Sequence, residues 1–380
     1  MSALLPHVDP DGLLEYSVVF TDRSLNSMSK RFQTVMRDIS SMLKEAYNAS
    51  GVVVIPGGGT YGMESIARQF AGDQHVMIIR NGWFSFRWTE ILKKGRIAAS
   101  ATVLAASRQD GVDGSNQPAP FAPASLDEVV SRIAQEKPAV VFAPHVETSA
   151  GMLLPDSYIK AVAEAVHAEG GLFVLDCVAS GTLWVDMKAL GVDVLLSAPQ
   201  KGWSASPCSG LVMLSDAAMA RVAETDAHSY VCDVKKWLGI MQAYENGGHA
   251  YHATMPTDAL LVFRDALAET RDYGFEKVRD EQVALGAAIR KLLESRGFRS
   301  VAAAGFQAPS VVVSFTDDDA IKNGSKFAAA GVQIAAGVPL ECGEGPEFKS
   351  FRVGLFGLDK LHNPERTVKN FEAALDQVLA

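Results

Sequence analysis

The sequence has little cysteine, no excess of positive charge and no metal-binding motif. Its four cysteines, Cys177, Cys208, Cys232 and Cys342, lie too far apart to form the close pairs of metal or redox motifs, so we expect reduced thiols and no metal. The net charge is −9, and the 35 lysines and arginines are scattered rather than clustered. Because nucleic-acid binding needs a concentrated basic surface, no nucleic-acid partner is expected.

Long hydrophobic runs are also missing. No apolar stretch approaches the roughly 20 residues that cross a bilayer. The opening segment, MSALLPHVDPDGLLEY, has acids where a signal peptide has bases. The final residues, QVLA, are not a peroxisomal targeting signal. We therefore expect a soluble, cytoplasmic protein without a membrane partner.

The chain does have 380 residues and a hydrophobic composition of 48%, which allow a large core and favour one large domain plus a smaller one. Apolar positions at helical spacing predict a helix over 27–48. From there to about residue 215, apolar runs alternate with helical patterns. Strands are predicted at 52–55, 76–79, 139–142, 171–176, 192–196 and 211–214, with helices at 60–71, 83–94, 125–136 and 156–169. This alternation predicts an α/β fold with a mostly parallel sheet and helices on both faces.

The C-terminal third follows another pattern. Helices are predicted at 257–273, 276–296, 319–329 and 364–378, and strands at 310–315, 332–335 and 351–355. This mixture predicts a smaller α+β domain. The predicted division is an N-terminal arm at 1–22, a large domain at 23–270 and a small domain at 271–380. A stretch rich in glycine and proline, 111–124, is predicted to be a loop.

A glycine-rich segment, PGGGTYG at 56–62, lies between a predicted strand and a predicted helix. Such a segment presents backbone N–H groups and the positive end of a helix to a phosphate. It also contains GxGxxG, so a dinucleotide site is an alternative. That alternative lacks the expected acid at the end of the second strand, where Arg80 and Asn81 stand. A tight turn without any ligand is the third interpretation.

Two further residues point to one kind of chemistry. Asp176 ends an apolar strand, at the sheet edge where ligands bind in parallel folds. Lys201 follows the next predicted strand, in SAPQKGW at 197–203. Taken alone, Asp176 suits a turn or helix cap and Lys201 a solvated surface group. Together with the phosphate segment they predict pyridoxal 5′-phosphate, with the lysine bonded to its aldehyde and the carboxylate on its ring nitrogen.

Residues 26–375 resemble the class V aminotransferases of the aspartate-aminotransferase superfamily, closest to the alanine–glyoxylate and serine–glyoxylate (serine–pyruvate) enzymes. DCVAS at 176–180 resembles that family's pyridine-binding segment, and SAPQKG at 197–202 resembles its lysine segment. The resemblance implies the type I fold of pyridoxal-phosphate enzymes, with Lys201 and Asp176 as catalytic residues. It also implies that Arg352, in FRVGLFG, binds the α-carboxylate of the substrate. An internal salt bridge is the alternative for Arg352.

Three more segments complete the implied cofactor site. NGWFSFR at 81–87 resembles the piece that lays an aromatic ring over the cofactor, which implies Phe84, with Trp83 as the competing candidate. HVETSAG at 145–151 implies Thr148 as a donor to the 3′-oxygen. YHATMP at 251–256 resembles a loop that reaches the neighbouring subunit's phosphate, so a homodimer is implied. The implied cofactor-binding residues are Gly58, Gly59, Thr60, Phe84, Thr148, Asp176, Val178, Gln200, Lys201, Tyr251 and Thr254.

The sequence departs from the family at its substrate mouth. YSVVFTDR at 16–23 stands where the family often has Gly-Pro-Gly-Pro, and Gly58 and Thr60 replace a common Ser and His. The resemblance implies transfer of an amino group from a small alanine- or serine-like amino acid to glyoxylate or pyruvate. A pyridoxal-phosphate lyase such as a cysteine desulfurase using Cys342 is the alternative. A nicotinamide-dependent dehydrogenase, based on GxGxxG alone, and a non-catalytic binding protein are the other two.

Overall fold

The computed structural model describes residues 14–18, 20, 21, 23–109 and 118–380. Most of the predicted N-terminal arm, 1–22, therefore lies outside the described residues, as do residues 111–117 of the predicted loop. The end of that loop differs from the prediction, because Phe121 and Ala122 pair with Ser107 and Arg108 as short strands.

The helices are α1 (Lys30–Tyr47), α2 (Gly59–Phe70), α3 (Trp83–Gly95), α4 (Leu126–Glu136), α5 (Asp156–Ala168), α6 (Met187–Leu190), α7 (Asp216–Glu224), α8 (Val234–Glu245), α9 (Thr257–Tyr273), α10 (Phe275–Ser295), α11 (Asp319–Lys322), α12 (Ser325–Ala329), α13 (Leu358–His362) and α14 (Pro364–Leu379). The strands are β1 (Gly51–Pro56), β2 (His75–Arg80), β3 (Ser100–Ala105), β4 (Ser107–Arg108), β5 (Phe121–Ala122), β6 (Val140–Pro144), β7 (Val146–Glu147), β8 (Met152–Leu153), β9 (Leu172–Asp176), β10 (Val194–Ser197), β11 (Ser209–Leu214), β12 (Val311–Phe315), β13 (Ala335–Ala336) and β14 (Ser350–Gly354). Across the described part of the chain, no helix is long and apolar enough to cross a bilayer.

A seven-stranded sheet forms the centre of the molecule, in the order β1-β11-β10-β9-β6-β2-β3. Four neighbouring pairs are parallel, whereas β11 runs antiparallel to both β1 and β10. Strands β6, β9, β10 and β11 are buried along their whole length, because helices cover both faces of the sheet. The predicted mostly parallel α/β sheet is confirmed.

A second, smaller sheet has the order β12-β14-β13, and both of its pairings are antiparallel. It shares a separate apolar core with α10, α12, α13 and α14, which includes Leu285, Phe327, Phe351 and Leu375. This is the mixture of helices and antiparallel strands expected for the C-terminal part. The domain boundary at 270/271 stays a prediction, and α9 runs across it as far as Tyr273.

Some predicted elements differ in the structure. The helix predicted at 319–329 is two short helices, because Gly324 has a φ of +81° and interrupts the helical backbone. The strand predicted at 332–335 is instead a two-residue strand, Ala335–Ala336, which overlaps the prediction at Ala335 alone. Strand β3, SATVLA, lies at the edge of the sheet and was not predicted, although it contains apolar residues. Helices α7 and α8 were missed as well, and α8 owes its place to packing against α1 and β1.

The sheet brings the important segments to one edge. Carboxyl ends of neighbouring parallel strands meet at the same edge, where ligands bind in folds of this kind. Strand β9 ends there at Asp176, and β10 ends at Ser197, just before the turn that contains Lys201. Strand β1 ends at the same edge and leads into α2, which begins at Gly59.

Candidate active site

A cavity of about 440 Å³ opens at this edge of the sheet, within the size range of small-molecule sites. It is bounded by the seven-stranded and the three-stranded sheet and by the first two turns of α2 and α3. Its lining residues are Gly59, Thr60, Met63, Phe84, Arg87, Pro144, Val146, Thr148, Asp176, Val178, Ala179, Gln200, Lys201, Val311, Ala335, Arg352, Gly354 and Phe356. The cavity thus brings together most of the residues predicted from the sequence, from positions far apart along the chain.

Asp176 lines this cavity and is 9% exposed. Its Oδ1 accepts a hydrogen bond from the Val178 N–H at 3.0 Å. Burial raises the pKa of Asp176 to about 6; the Glu147 charge adds to this, while the Val178 hydrogen bond and Arg87 oppose it. An ionised carboxylate in such a place favours a cationic partner, which a protonated pyridine nitrogen would provide.

Lys201 faces the same cavity from the turn after β10. Burial lowers its pKa, and the positive charges of Arg352 and Arg87 lower it further. Its Nζ lies 5.3 Å from the centre of the Phe356 ring. Because the neutral amine is the nucleophilic form, this environment favours bond formation with an aldehyde.

The start of α2 offers backbone donors to the cavity. Gly58 caps this helix without a side chain, and the first N–H groups of a helix have no partner within it. A Cβ on Gly58 would meet nothing within 4 Å, whereas one on Gly62 would come within 2.5 Å of Leu196 Cδ1. Gly58 therefore leaves the first turn of α2 open to a ligand, and Gly62 allows α2 to pack closely on β10. The Gln200 Oε1 is buried and has no hydrogen-bond partner among the described residues.

Phe84 provides the aromatic side chain at the cavity wall. The competing candidate, Trp83, does not line the cavity; its ring packs on Phe86, with ring centres 5.7 Å apart. Glu147 fixes this end of α3, because its fully buried carboxylate accepts hydrogen bonds from Phe84 N at 3.2 Å and Ser85 N at 2.8 Å. Thr148 follows Glu147 and lines the cavity.

Two arginines contribute positive charge. Arg352, on β14, donates from Nε to Ala336 O at 2.8 Å, and within the described chain no carboxylate lies within salt-bridge distance of it. The internal salt bridge considered for it is therefore not formed, and its outer nitrogens are available to an anion. Arg87 is a lining residue that the sequence analysis missed. The sequence did point to this residue, because Arg87 ends the segment NGWFSFR, but no role was assigned to it.

Four predicted residues are not among those that line the cavity: Gly58, Tyr251, Thr254 and Cys342. The Tyr251 hydroxyl lies 3.3 Å from Thr254 Oγ1, and both side chains are exposed on another surface. They do not reach the cavity of their own chain. Cys342 does not line the cavity either, and burial, with the charges of Glu147 and Glu344, raises its pKa to about 12. Such a thiol stays protonated and is a poor nucleophile.

Pyridoxal 5′-phosphate fits this arrangement. The cavity offers an amine for the aldehyde, a buried carboxylate for the ring nitrogen, an aromatic ring, and open N–H groups with an unpaired Gln200 oxygen nearby. An α/β fold with this set of groups at the carboxyl edge of its sheet defines a pyridoxal-phosphate enzyme of fold type I.

Comparison with known proteins identifies the family. The chain matches the family described as aminotransferase class-V over residues 13–344, and it belongs to this family of pyridoxal-phosphate-dependent transaminases. It is 29% identical to alanine–glyoxylate aminotransferase 1 of Saccharomyces cerevisiae, over 65% of this chain and 63% of that protein. It is 27% identical to 2-aminoethylphosphonate–pyruvate transaminase of Paraburkholderia phymatum, over 88% of this chain and 84% of that protein.

The fold is shared with solved structures. The crystal structure of alanine–glyoxylate aminotransferase from Nostoc sp. superposes with a TM-score of 0.78 at 21% identity, covering 100% of this chain and 90% of that chain. Pyridoxamine–pyruvate aminotransferase from Mesorhizobium loti gives a TM-score of 0.73 at 18% identity, over 99% and 94% of the two chains. The predicted fold class, family and cofactor are confirmed.

Proposed function

We propose that the protein moves an amino group from a small amino acid such as alanine or serine to a small 2-oxo acid, glyoxylate or pyruvate. The observation that supports this most is one cavity shared by Lys201, Asp176 and Arg352. Pyridoxal 5′-phosphate supplies the carbonyl that receives the amino group and a ring that accepts electrons. The residues around it supply binding, orientation and proton transfer.

Lys201 has two roles in this proposal. Its Nζ would hold the cofactor through the aldehyde carbon, and the same nitrogen, when free, would accept the α-proton of the amino acid. Both roles need a neutral amine. Burial and the charges of Arg352 and Arg87 lower the pKa of Lys201, which keeps more of it in that form near neutral pH.

The other predicted residues orient the cofactor. Asp176 holds a proton on the ring nitrogen. Phe84 and Val178 would contact the ring, and Thr148 would donate to the 3′-oxygen. The proposed phosphate ligands are Gly58, Gly59, Thr60 and Gln200 of one chain, with Tyr251 and Thr254 of a second copy. A homodimer with a shared site is part of this proposal, since Tyr251 and Thr254 are exposed and outside the cavity of their own chain.

The cavity wall favours a small anionic substrate. Arg352 is the proposed ligand of the α-carboxylate, because a guanidinium binds a carboxylate through two parallel hydrogen bonds. Around it the wall is formed by Val146, Val311 and Ala335, which are small or of moderate size and apolar. These side chains suit a methyl or hydroxymethyl group.

A cytoplasmic location, expected from the sequence, is kept as part of the proposal.

An aminophosphonate is a second candidate donor. The similarity to the Paraburkholderia transaminase extends over 88% of this chain, and an arginine binds a phosphonate as well as a carboxylate. The lyase alternative is not favoured, because the Cys342 thiol has a raised pKa and lies outside the cavity.

The test measures the first half of the reaction. Purified protein loaded with cofactor is mixed with alanine, serine, 2-aminoethylphosphonate or cysteine, without any acceptor. We expect about one equivalent of pyruvate per active site from alanine, or of the corresponding oxo product from serine, and none from Lys201→Ala. Release of sulfide from cysteine, or an oxo product from 2-aminoethylphosphonate alone, would contradict the proposal and identify the competing activity.

A further inference from the structure

Arg87 is a half-buried cation at the cavity wall to which the proposed function assigns no ligand. It lies in the second turn of α3, and its Nη1 donates a hydrogen bond to Thr60 Oγ1 at 3.3 Å. Its guanidinium carbon lies 4.6 Å from the centre of the Phe84 ring. Among residues 23–109 and 118–380, no carboxylate lies within 4.0 Å of this guanidinium.

The surroundings of Arg87 favour an anion beside it. Thr60 belongs to the first turn of α2, which is the positive end of that helix. The same cavity also contains Lys201 and Arg352, whereas Asp176 is the one acid among its lining residues. A half-buried guanidinium beside other positive groups attracts a negatively charged ligand.

We propose that Arg87 binds the phosphate of the cofactor and gives the protein its preference for the phosphorylated form over free pyridoxal. The position favours this role over substrate binding, because Arg87 is bonded to Thr60 in the proposed phosphate segment, while Arg352 projects from the small sheet. A planar guanidinium matches two phosphate oxygens. The inference rests on the proposed placement of the phosphate at the start of α2.

The experiment compares two forms of the cofactor. Arg87→Met removes the charge and keeps an unbranched apolar stem against Phe84. Dissociation constants for pyridoxal 5′-phosphate and for pyridoxal are measured by quenching of tryptophan fluorescence in the cofactor-free protein. We expect the constant for the phosphorylated form to rise roughly 10- to 100-fold, as for loss of one or two hydrogen bonds to a charged group, while the constant for pyridoxal changes far less.

Matched variants separate the possible roles. Arg352→Met removes the other arginine and is expected to leave the preference for the phosphorylated form unchanged. Arg87→Lys keeps the charge without the planar fork, and it is expected to retain part of the preference that Arg87→Met loses. Thermal melting of the cofactor-free variants shows that they are folded. Equal weakening of both cofactor forms would overturn the proposal and assign Arg87 to the packing of Phe84. Unchanged cofactor affinity with a raised KM for the amino donor would overturn it in favour of substrate binding.

The two proposals fail in different ways. If the unmodified protein bound both cofactor forms equally, the phosphate placement itself would be wrong, and the role of Arg87 with it. If the donor were another amine, the affinity ratios would stay as expected, because no substrate takes part in the measurement.

Discussion

At the scale of single residues, Asp176 combines two properties that conflict in the cofactor-free protein. Its carboxylate is buried, which raises its pKa from 3.8 to about 6, and yet the proposed reaction needs it ionised. A shift of this size corresponds to a cost of roughly 3 kcal/mol at neutral pH. The folded protein binds this proton more tightly than the unfolded chain does. The free energy of unfolding therefore falls as the pH rises from about 4 to about 6. Above that pH the contribution of Asp176 is constant.

Asp176→Asn should remove this cost and the activity together. We expect the free energy of unfolding of the cofactor-free variant to exceed that of the unmodified protein by up to about 3 kcal/mol at neutral pH, and the difference to vanish near pH 4. Turnover should fall by at least about 100-fold, because the ring nitrogen loses its anionic partner. Urea unfolding at a series of pH values and a transaminase assay measure the two effects. A stability difference independent of pH, or near-normal turnover, would contradict the assignment.

The sequence was informative about some of these residues and silent about others. Asp176 and Lys201 could be predicted because each follows a short apolar strand, and parallel strands bring such positions to one edge. Arg87 could not, because its contact with Thr60 depends on how α2 and α3 pack. That Phe84 and not Trp83 lines the cavity likewise depends on the orientation of α3, which the sequence motif alone does not give.

At the scale of elements, α3 is held at its first turn by a buried acid. Glu147 accepts hydrogen bonds from Ser85 N at 2.8 Å and Ser85 Oγ at 2.7 Å, and from Ser149 Oγ at 2.7 Å. An anion at the positive end of a helix is favourable, and here it also positions Phe84. The sequence predicted the helix at 83–94 from its periodicity but not this acid, which comes from a distant strand.

Glu147→Gln should therefore destabilise the protein. The amide places N–H donors against backbone N–H donors, so we expect the free energy of unfolding to fall by about 2–4 kcal/mol and the cofactor to bind more weakly. Glu90→Gln is the control, because its ion pair with Lys94, at 3.6 Å, lies on the exposed side of the same helix. That change should stay within about 0.5 kcal/mol. Equal effects of the two variants in urea unfolding would show that the buried contacts of Glu147 do not hold α3.

The turn after β10 depends on a close approach between two backbones. A Cβ on Gly202 would lie 1.9 Å from the Gly181 carbonyl oxygen, which cannot move without displacing the segment that follows Asp176. Gly202→Ala is expected to cost about 1–3 kcal/mol or more in the free energy of unfolding, and to weaken cofactor binding because Lys201 is adjacent.

Gly72→Ala is the matched control for this prediction. Gly72 lies in a turn, and the nearest atom to its added Cβ would be Arg68 O, at 3.9 Å. Its effect on stability should stay within about 0.5 kcal/mol. Comparable stability and cofactor affinity of Gly202→Ala and Gly72→Ala would show that the turn tolerates the extra carbon.

At the scale of the whole molecule, the proposed dimer can be tested by complementation. The exposed fractions of Tyr230 and Tyr251, 73% and 60%, are large for aromatic side chains, as expected for a surface that meets a second copy. One chain is given Lys201→Ala, the other Tyr251→Phe with Thr254→Val, and the two are co-expressed with different affinity tags. The mixed dimer should have a mass of twice the 40.6 kDa chain and regain about half of normal activity, because one of its two sites is intact.

An inactive mixed dimer would contradict this arrangement. If Tyr251 and Thr254 served the site of their own chain, both sites of the mixed dimer would be defective and no activity would return. The two parent homodimers, each with a single kind of defect, are the controls.

The pairing of β1 with β11 has a consequence for synthesis of the protein. Gly51 lies beside Leu214, so the ribosome adds roughly 160 residues before β1 acquires this neighbour. Until then, the apolar segment 52–55, fully buried in the folded sheet, has a free strand edge. Nascent chains that stop short of β11 should therefore aggregate or engage chaperones, whereas longer chains can pair β1 with β11.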